Sequence, residues 1–62
     1  MNRDIRLKIA RLTKGLTQAD LAATVNVPES YMAKIEQRRI VPKRELQEKI
    51  AATLGKQRWE VF

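Results

Sequence analysis

The side chains that could do chemistry in this sequence are mainly amines, guanidinium groups and carboxylates, because its 62 residues include no histidine and no cysteine. Histidine and cysteine supply the usual general bases, the common nucleophile pairings and the usual zinc ligands. The absence of cysteine also leaves no disulfide to supplement the small core that so short a chain can build. The composition therefore predicts a protein that is not an enzyme and holds no cofactor and no metal.

Positive charge is the main chemical feature of the sequence. Thirteen Lys and Arg residues oppose seven Asp and Glu residues, which gives a net charge of +6. A cationic balance of this kind favours polyanionic partners, either nucleic acid or anionic lipid. Four of the cations bracket one segment: Arg38, Arg39, Lys43 and Arg44. By composition alone that segment is only a solvated basic loop.

The elements that must position these charges are separated by a few turn residues. Breaks fall at Gly15, at residues 26–28, at Pro42 and at Gly55. No segment alternates apolar and polar residues over more than a few positions, so no strand is predicted. The sequence therefore predicts an all-α fold of five helices in one domain that covers residues 1–62.

The first helical segment has two candidate buried faces. Asn2 or Asp4 can open this helix, and Gly15 is expected to follow its last turn. One face consists of Ile5, Ile9, Leu12 and Leu16, and the other of Leu7, Ala10 and Lys14. The spacing of the apolar residues does not decide which of the two faces is buried.

The second and third helical segments are short and are separated only by residues 26–28. Thr17 and Asp20 have the spacing of a capping box, which opens a second helix of about nine residues. Its expected buried residues are Leu21, Ala22 and Val25. The third helix has an inner side of Tyr31, Met32 and Ile35, and an outer side of Glu29, Ser30, Ala33, Lys34 and Gln37. So short a break forces a steep crossing, for which Ala22 is small enough and Asn26 accepts a positive φ.

The last two segments complete the predicted core. Pro42 can lie near the first turn of a fourth helix, in which Leu46, Ile50 and Leu54 repeat one face before Gly55. A short fifth segment covers residues 57–62 and contains Trp59, Val61 and Phe62. Trp59 can be a core residue or a dimer contact.

No membrane partner is expected for this chain. Residues 1–4 lack the apolar core of a signal peptide, and no apolar run approaches the roughly 20 residues that span a bilayer. A basic first helix on a membrane surface is disfavoured because Ile5, Ile9 and Leu12 are expected to be needed in or beside the small core. The expected location is cytoplasmic and nucleoid-associated.

The order and spacing of these residues resemble the helix-turn-helix domain of the phage lambda repressor and Cro family. The resemblance covers nearly the whole chain and is carried by KGLTQ at 14–18, LA at 21–22, SYM at 30–32, KIE at 34–36, Pro42, IA at 50–51, LG at 54–55 and VF at 61–62. It implies a compact five-helix DNA-binding domain with the helix-turn-helix at about residues 17–37.

The resemblance also implies which side chains contact DNA. A third helix in the major groove would bring five residues of its N-terminal part to the base edges: Pro28, Glu29, Ser30, Ala33 and Lys34. Phosphate contacts are implied for Gln18 and for the basic loop residues Arg38, Arg39, Lys43 and Arg44. Glu29 and Lys34 have a simpler interpretation as a solvated helix face, and Gln18 as a helix former in a capping turn.

The same resemblance gives Arg11 and Glu36 a structural role. The matching positions of the family form a largely buried ion pair that joins the first helix to the end of the third. Three departures from the family pattern involve four positions. Asn26 replaces a glycine, Pro28 replaces a serine that caps the recognition helix, and Arg58-Trp59 replaces an aliphatic and an acidic residue at the last helix.

The function implied is that of a sequence-specific transcriptional regulator of double-stranded DNA, a repressor that acts as a homodimer on a palindromic operator. Three alternatives stay open at this point. The antitoxin of a toxin–antitoxin pair and the controller protein of a restriction–modification system have the same pattern. A protein-protein adaptor could use the same fold to bind a toxin or a transcription component, with its basic surface incidental.

Overall fold

The computed structural model describes residues 4–62, which fold into five α-helices. The helices are α1 (Arg6–Thr13), α2 (Gln18–Thr24), α3 (Glu29–Glu36), α4 (Arg44–Thr53) and α5 (Arg58–Val61). Residues 4–62 contain no strand. The predicted all-α, five-helix architecture is therefore confirmed. Asn2, one of the two residues predicted to open the first helix, lies outside the described residues, whereas the other, Asp4, accepts a hydrogen bond from the backbone N–H of Arg6 at 3.1 Å.

Four of the helices are followed, two positions after their last residue, by a residue with a positive φ angle. These residues are Gly15 (φ 77°), Asn26 (φ 62°), Arg38 (φ 61°) and Gly55 (φ 68°). In each case the backbone N–H of the next residue donates to the carbonyl five positions earlier, at 2.9 to 3.1 Å, which satisfies acceptors that the helix end leaves free. The sequence predicts this conformation at Gly15 and Asn26, whereas nothing in the sequence predicts it at Arg38.

Helices α2 and α3 pack directly on each other and form the helix-turn-helix. Thr17 and Asp20 form the predicted capping box, in which each side chain meets the other residue's backbone N–H at 3.0 Å. Helix α2 has seven residues rather than about nine, because the turn at Asn26 follows directly after its cap. Ala22 is buried at 2% exposure, and its small side chain allows the two helices to approach closely.

The core takes one or two large side chains from every helix. Six residues have fully buried side chains: Leu7, Leu21, Met32, Ile35, Ile50 and Val61. Small residues and Leu54 fill the space between them, and Leu16, Val27, Tyr31, Leu46 and Phe62 pack against the edge of this core. The predicted inner sides of the second, third and fourth helices are confirmed.

Helix α1 buries the face that carries Leu7, Ala10 and Arg11. The expectation that Ile5, Ile9 and Leu12 lie in or beside the core is therefore wrong. Their exposed fractions are 48%, 52% and 56%. The cause is Arg11. Helical geometry places Ile5, Ile9 and Leu12 on the side of the helix opposite to Arg11, so they face solvent when the guanidinium is turned toward its buried partner.

The chain between α3 and α5 is held by Gln47. Pro42 is buried, and it precedes α4 by two residues, with Lys43 as the N-cap. The side-chain amide of Gln47 donates to the Pro42 carbonyl at 3.0 Å, and its oxygen accepts from Arg58 at 3.0 Å. Arg58 thus anchors α5 to α4. Trp59 is 67% exposed, so it is not a core residue.

Candidate nucleic-acid interface

The outer face of α3 presents a mixed polar surface. Glu29, Ser30 and Lys34 are exposed, Ala33 is half-buried, and Pro28 is exposed at the helix start. These are the five residues for which base contacts are predicted, and the structure brings them together on one side of the helix. Met32 and Ile35 on the opposite side are fully buried, so the core fixes the direction in which the outer face points.

The start of α3 has no side-chain cap. Pro28 occupies the N-cap with extended backbone (φ −63°, ψ 149°), and no side chain accepts the free N–H groups of the first turn. Glu29 is the first residue of the helix, where a carboxylate interacts favourably with the positive end of the helix dipole. The acid at this position therefore has a structural reason that is independent of any partner.

Gln18 is the first residue of α2 and is half-buried. It lines a groove of about 280 Å³ together with Lys8 of α1 and Gln37, which follows α3. The capping box fixes this helix start, and the Thr17 backbone N–H and hydroxyl lower the pKa of the Asp20 carboxyl by hydrogen bonding to it. Lys8 is a candidate contact that the sequence does not predict, because the buried face of the first helix is not evident from the spacing.

The basic loop after α3 divides into two groups of side chains. Arg39, Lys43 and Arg44 are exposed, and Arg44 forms a solvent-exposed ion pair with Glu48 at 3.2 Å. An exposed pair of this kind contributes little to stability, so Arg44 can exchange Glu48 for another anion. Arg38 differs because its side chain is only 25% exposed and its guanidinium is engaged by other parts of the chain.

Arg38 belongs to a network that contains Asp4 and Arg6. Arg38 Nη2 donates to the Val61 carbonyl at 2.7 Å and lies 3.2 Å from Asp4 Oδ1. Arg6 holds the same carboxylate with Nη2 at 2.8 Å and Nε at 3.0 Å, and its Nη1 donates to the Trp59 carbonyl at 2.9 Å. The hydrogen bonds from Arg6, with the charge of Arg38, hold the pKa of Asp4 well below its usual range.

Arg11 and Glu36 form a buried ion pair that joins α1 to the end of α3. Arg11 Nε donates to Glu36 Oε2 at 2.7 Å and Nη2 to Oε1 at 3.2 Å, so the contact is bidentate. A further nitrogen, Nη1, donates to the Leu16 carbonyl at 2.9 Å. The two side chains are 8% and 5% exposed, and every buried polar side-chain atom of residues 4–62 has a hydrogen-bond partner. These two residues therefore position α3.

Within residues 4–62, no three Asp or Glu side chains are grouped closely enough to hold a metal ion. None of the five helices is long and apolar enough to cross a bilayer.

Three known structures resemble this fold closely. The clp gene regulator ClgR from Corynebacterium glutamicum is 28% identical with a TM-score of 0.86, over 94% of this chain and 62% of that chain. The restriction-modification controller protein C.AhdI from Aeromonas hydrophila is 30% identical with a TM-score of 0.83, over 92% and 86% of the two chains. The hypothetical transcription factor NHTF from Neisseria is 26% identical with a TM-score of 0.82, over 94% and 72%.

The sequence itself matches a known family over nearly its whole length. No curated protein sequence is matched. The model of a helix-turn-helix domain matches residues 5–61, which include all five helices. ClgR and C.AhdI are regulators of the Cro/C1 type, which agrees with the family that the sequence resembles. The chain therefore belongs to the helix-turn-helix family of DNA-binding transcription regulators.

Proposed function

We propose that this chain is a sequence-specific repressor that binds double-stranded DNA as a homodimer on a palindromic operator in the cytoplasm. The observation that carries the proposal is the outer face of α3, where exposed polar side chains stand opposite the buried Met32 and Ile35. Membership of the helix-turn-helix family supports DNA binding. The similarity to proteins described as a gene regulator and a restriction-modification controller supports a regulatory role.

The outer face of α3 would read bases in the major groove. Lys34 donates to guanine O6 and N7, Glu29 accepts from cytosine N4, and Ala33 offers its methyl group to thymine. Ser30 can serve a base or a phosphate, and Pro28 lies beside them. In this proposal the helix-turn-helix of residues 17–37 forms the reading unit of a single domain.

Phosphate contacts would lie on both sides of this helix. Gln18 at the start of α2 and the exposed Arg39, Lys43 and Arg44 of the basic loop are the proposed groups. Lys8 joins this set because it lines the same groove as Gln18. Arg38, which the sequence predicts as a phosphate contact, is not proposed as one, because its guanidinium already binds Asp4 and the Val61 carbonyl.

A homodimer is proposed because one recognition helix covers too few base pairs for useful specificity. A second subunit about 34 Å away along the DNA doubles the sequence that is read. Trp59 is the proposed dimer contact, since this aromatic side chain is 67% exposed and lines a groove between α4 and α5. Sedimentation should show that Trp59→Ala weakens the dimer, whereas Ile9→Ser on α1 leaves it intact. The reverse result would move the interface to α1.

The decisive experiment is selection of bound sites from a random pool of double-stranded DNA. The proposal predicts enrichment of one palindromic sequence, whose half-site spacing gives the geometry of the dimer. Affinity for that site should fall steeply as salt rises, because Lys and Arg release counterions from the phosphates they contact. Equal affinity for the selected site and for random DNA at every salt concentration would overturn the proposal.

A second candidate is a protein-binding role, as an antitoxin or as an adaptor for a toxin or a transcription component. The observation that favours it is the row of Ile5, Ile9 and Leu12, which α1 and its N-cap residue expose at helical spacing. This candidate would be favoured over the first by two results together. The protein would form a complex with the purified product of a neighbouring gene, which Leu12→Ser abolishes, and it would retain no selected DNA.

A further inference from the structure

The residue at the end of the recognition helix has an unusual backbone conformation. Arg38 has φ 61°, a left-handed conformation that is sterically unfavourable for an L-residue. Glycine is the residue that adopts it without strain. The helix end accounts for part of this conformation, since the Arg39 N–H donates to the Lys34 carbonyl at 2.9 Å. Strain of this kind persists only when the surrounding structure over-determines it, and the contacts of the Arg38 side chain add to this restraint.

These contacts join three separate parts of the chain at one guanidinium. Arg38 Nη2 donates to the Val61 carbonyl at 2.7 Å, in the last turn of α5, where helix carbonyls lack intrahelical partners. The same nitrogen lies 3.2 Å from Asp4 Oδ1, and the guanidinium carbon lies 5.4 Å from the centre of the Phe62 ring. The end of α3 is thus tied to the start of α1 and to the end of α5.

Asp4 connects this guanidinium to a second one. Its other oxygen accepts from Arg6 Nη2 at 2.8 Å, and Arg6 in turn donates to the Trp59 carbonyl at 2.9 Å. One carboxylate therefore bridges two arginines, and each arginine donates to a backbone carbonyl of the four-residue helix α5. So short a helix is not stable alone, which makes these two donors part of what holds it.

We propose that Arg38 is a positioning residue of the DNA-binding surface, which binds Asp4 and the Val61 carbonyl and thereby fixes residues 38–43, the part of the basic loop that precedes α4, against α1 and α5. This inference rests on the proposed function. The loop begins at Arg38, and its exposed cations Arg39 and Lys43 lie one and five residues further along. Holding the first residue lowers the cost of ordering these side chains on a DNA backbone.

The direction in which Asp4→Ala changes DNA affinity distinguishes a positioning role of this network from a simple effect of charge. Asp4→Ala removes a negative charge, which by itself should favour binding to a polyanion. Positioning predicts the opposite: affinity falls about threefold to tenfold, because the loop must be ordered on binding. Glu45→Ala is the matched control. It removes an exposed carboxylate that makes no hydrogen bond or ion pair in the described part of the chain, and its affinity should stay equal or rise.

Salt dependence and a conservative variant test Arg38 itself. Arg38→Ala should lower affinity for the selected site and for random DNA alike, while the slope of log K against log salt stays unchanged. Arg39→Ala, which removes a proposed phosphate contact, should reduce that slope by about 0.9. Arg38→Lys should not restore affinity, since a single ammonium lacks the planar fork that reaches the carbonyl and the carboxylate together.

A matched core variant and hydrogen exchange distinguish the positioning role of Arg38 from a general loss of stability. Ile50→Val should lower the urea midpoint of unfolding without a change in DNA affinity, measured where all variants are folded. In the free protein, Arg38→Ala should speed amide exchange in residues 38–43 more than in α2. The inference fails if Arg38→Ala lowers the salt slope, if Arg38→Lys keeps full affinity, or if Asp4→Ala binds more tightly. Failure of the proposed function differs, because wild-type protein would then not prefer its selected site.

Discussion

Lys34 and Arg38 carry the same charge and lie one helical turn apart, yet helix α3 ends between them and their surroundings differ. Lys34 is exposed on the outer face, one position before the buried Ile35. Arg38 lies beyond the helix end, where its guanidinium meets Asp4 and a backbone carbonyl instead of solvent. Of the two, Lys34 is therefore the cation free to contact a partner.

Replacing Lys34 should change specificity, whereas replacing a loop cation should change affinity alone. Lys34→Ala is expected to weaken binding to the selected operator about tenfold to a hundredfold and to abolish discrimination at one base pair. Lys43→Ala should weaken binding to all sequences and lower the salt slope by about 0.9. Fluorescence anisotropy with the operator and its single-pair variants measures both. If Lys34→Ala keeps its discrimination, this side chain does not read a base.

Most candidate residues could be placed from the sequence because their neighbours in the helix were strongly patterned. Met32 and Ile35 identify the inner side of the third helix, and the outer side follows from the helical period. Arg38 could not be placed in this way. Its position depends on a left-handed backbone angle and on contacts with residues 34 and 23 positions away in the chain, which no local pattern encodes.

Helix α1 shows how one polar residue decides which face is buried. Its two apolar faces have similar spacing, so the hydrophobic pattern gives no preference. Arg11 lies on the face of Leu7 and Ala10, and its bidentate contact with Glu36 is shielded from solvent. A buried charge needs such a partner, and this requirement places Ile5, Ile9 and Leu12 outside.

Paired substitutions on α1 test this assignment. Leu7→Ala should destabilise the fold by about 2–5 kcal/mol, since it leaves a cavity at a fully buried position. Ile9→Ser, which lies on the exposed face at 52% exposure, should change the free energy of unfolding by less than about 0.5 kcal/mol. Urea denaturation of both variants gives the comparison. Comparable losses in the two would show that α1 buries both faces in solution.

Removing one partner of the buried ion pair between α1 and α3 should destabilise the fold strongly, whereas replacing both partners by apolar residues should destabilise it much less. Arg11→Ala leaves the Glu36 carboxylate buried without its partner, and the expected loss of stability is about 3–5 kcal/mol. The double variant Arg11→Met with Glu36→Leu removes both charges and should recover most of that loss. Urea denaturation of the single and double variants measures the difference. A double variant as unstable as the single one would show that the pair contributes more than charge compensation.

Across the described chain, residues 4–6 and the last helix α5 are held by charge rather than by a large core. The network of Arg6, Asp4 and Arg38 joins the start of α1, the end of α3 and the last turn of α5 around a single carboxylate. The sequence predicts the five helices and their order, but it does not predict this network, because its members are far apart in the chain and are all ordinary surface residue types.

The carboxylates of Asp4 and Asp20 make stability depend on acid pH. Both have a pKa lowered from the ordinary value of 3.8, Asp4 chiefly by hydrogen bonds from Arg6 and Asp20 by those from Thr17. A lowered pKa in the folded state contributes stability that is fully present above 3.8 and is lost as the pH falls through the folded value. With no histidine and no cysteine, stability should change little between about pH 5.5 and 8.5.

Asp4→Asn should therefore be less stable than the wild-type protein at pH 7, and the difference between the two should narrow as the pH falls below 4. The asparagine side chain does not titrate, so this position gives the variant no pH-dependent contribution to stability. The wild-type carboxylate is progressively protonated as the pH falls, and its contribution to stability is lost. Urea midpoints of both proteins at pH 7, 4 and 2 measure the effect, with Glu45→Gln as the control that removes an exposed carboxylate outside the network. A difference that stays constant from pH 7 to pH 2 would mean that the Asp4 charge does not hold the network together.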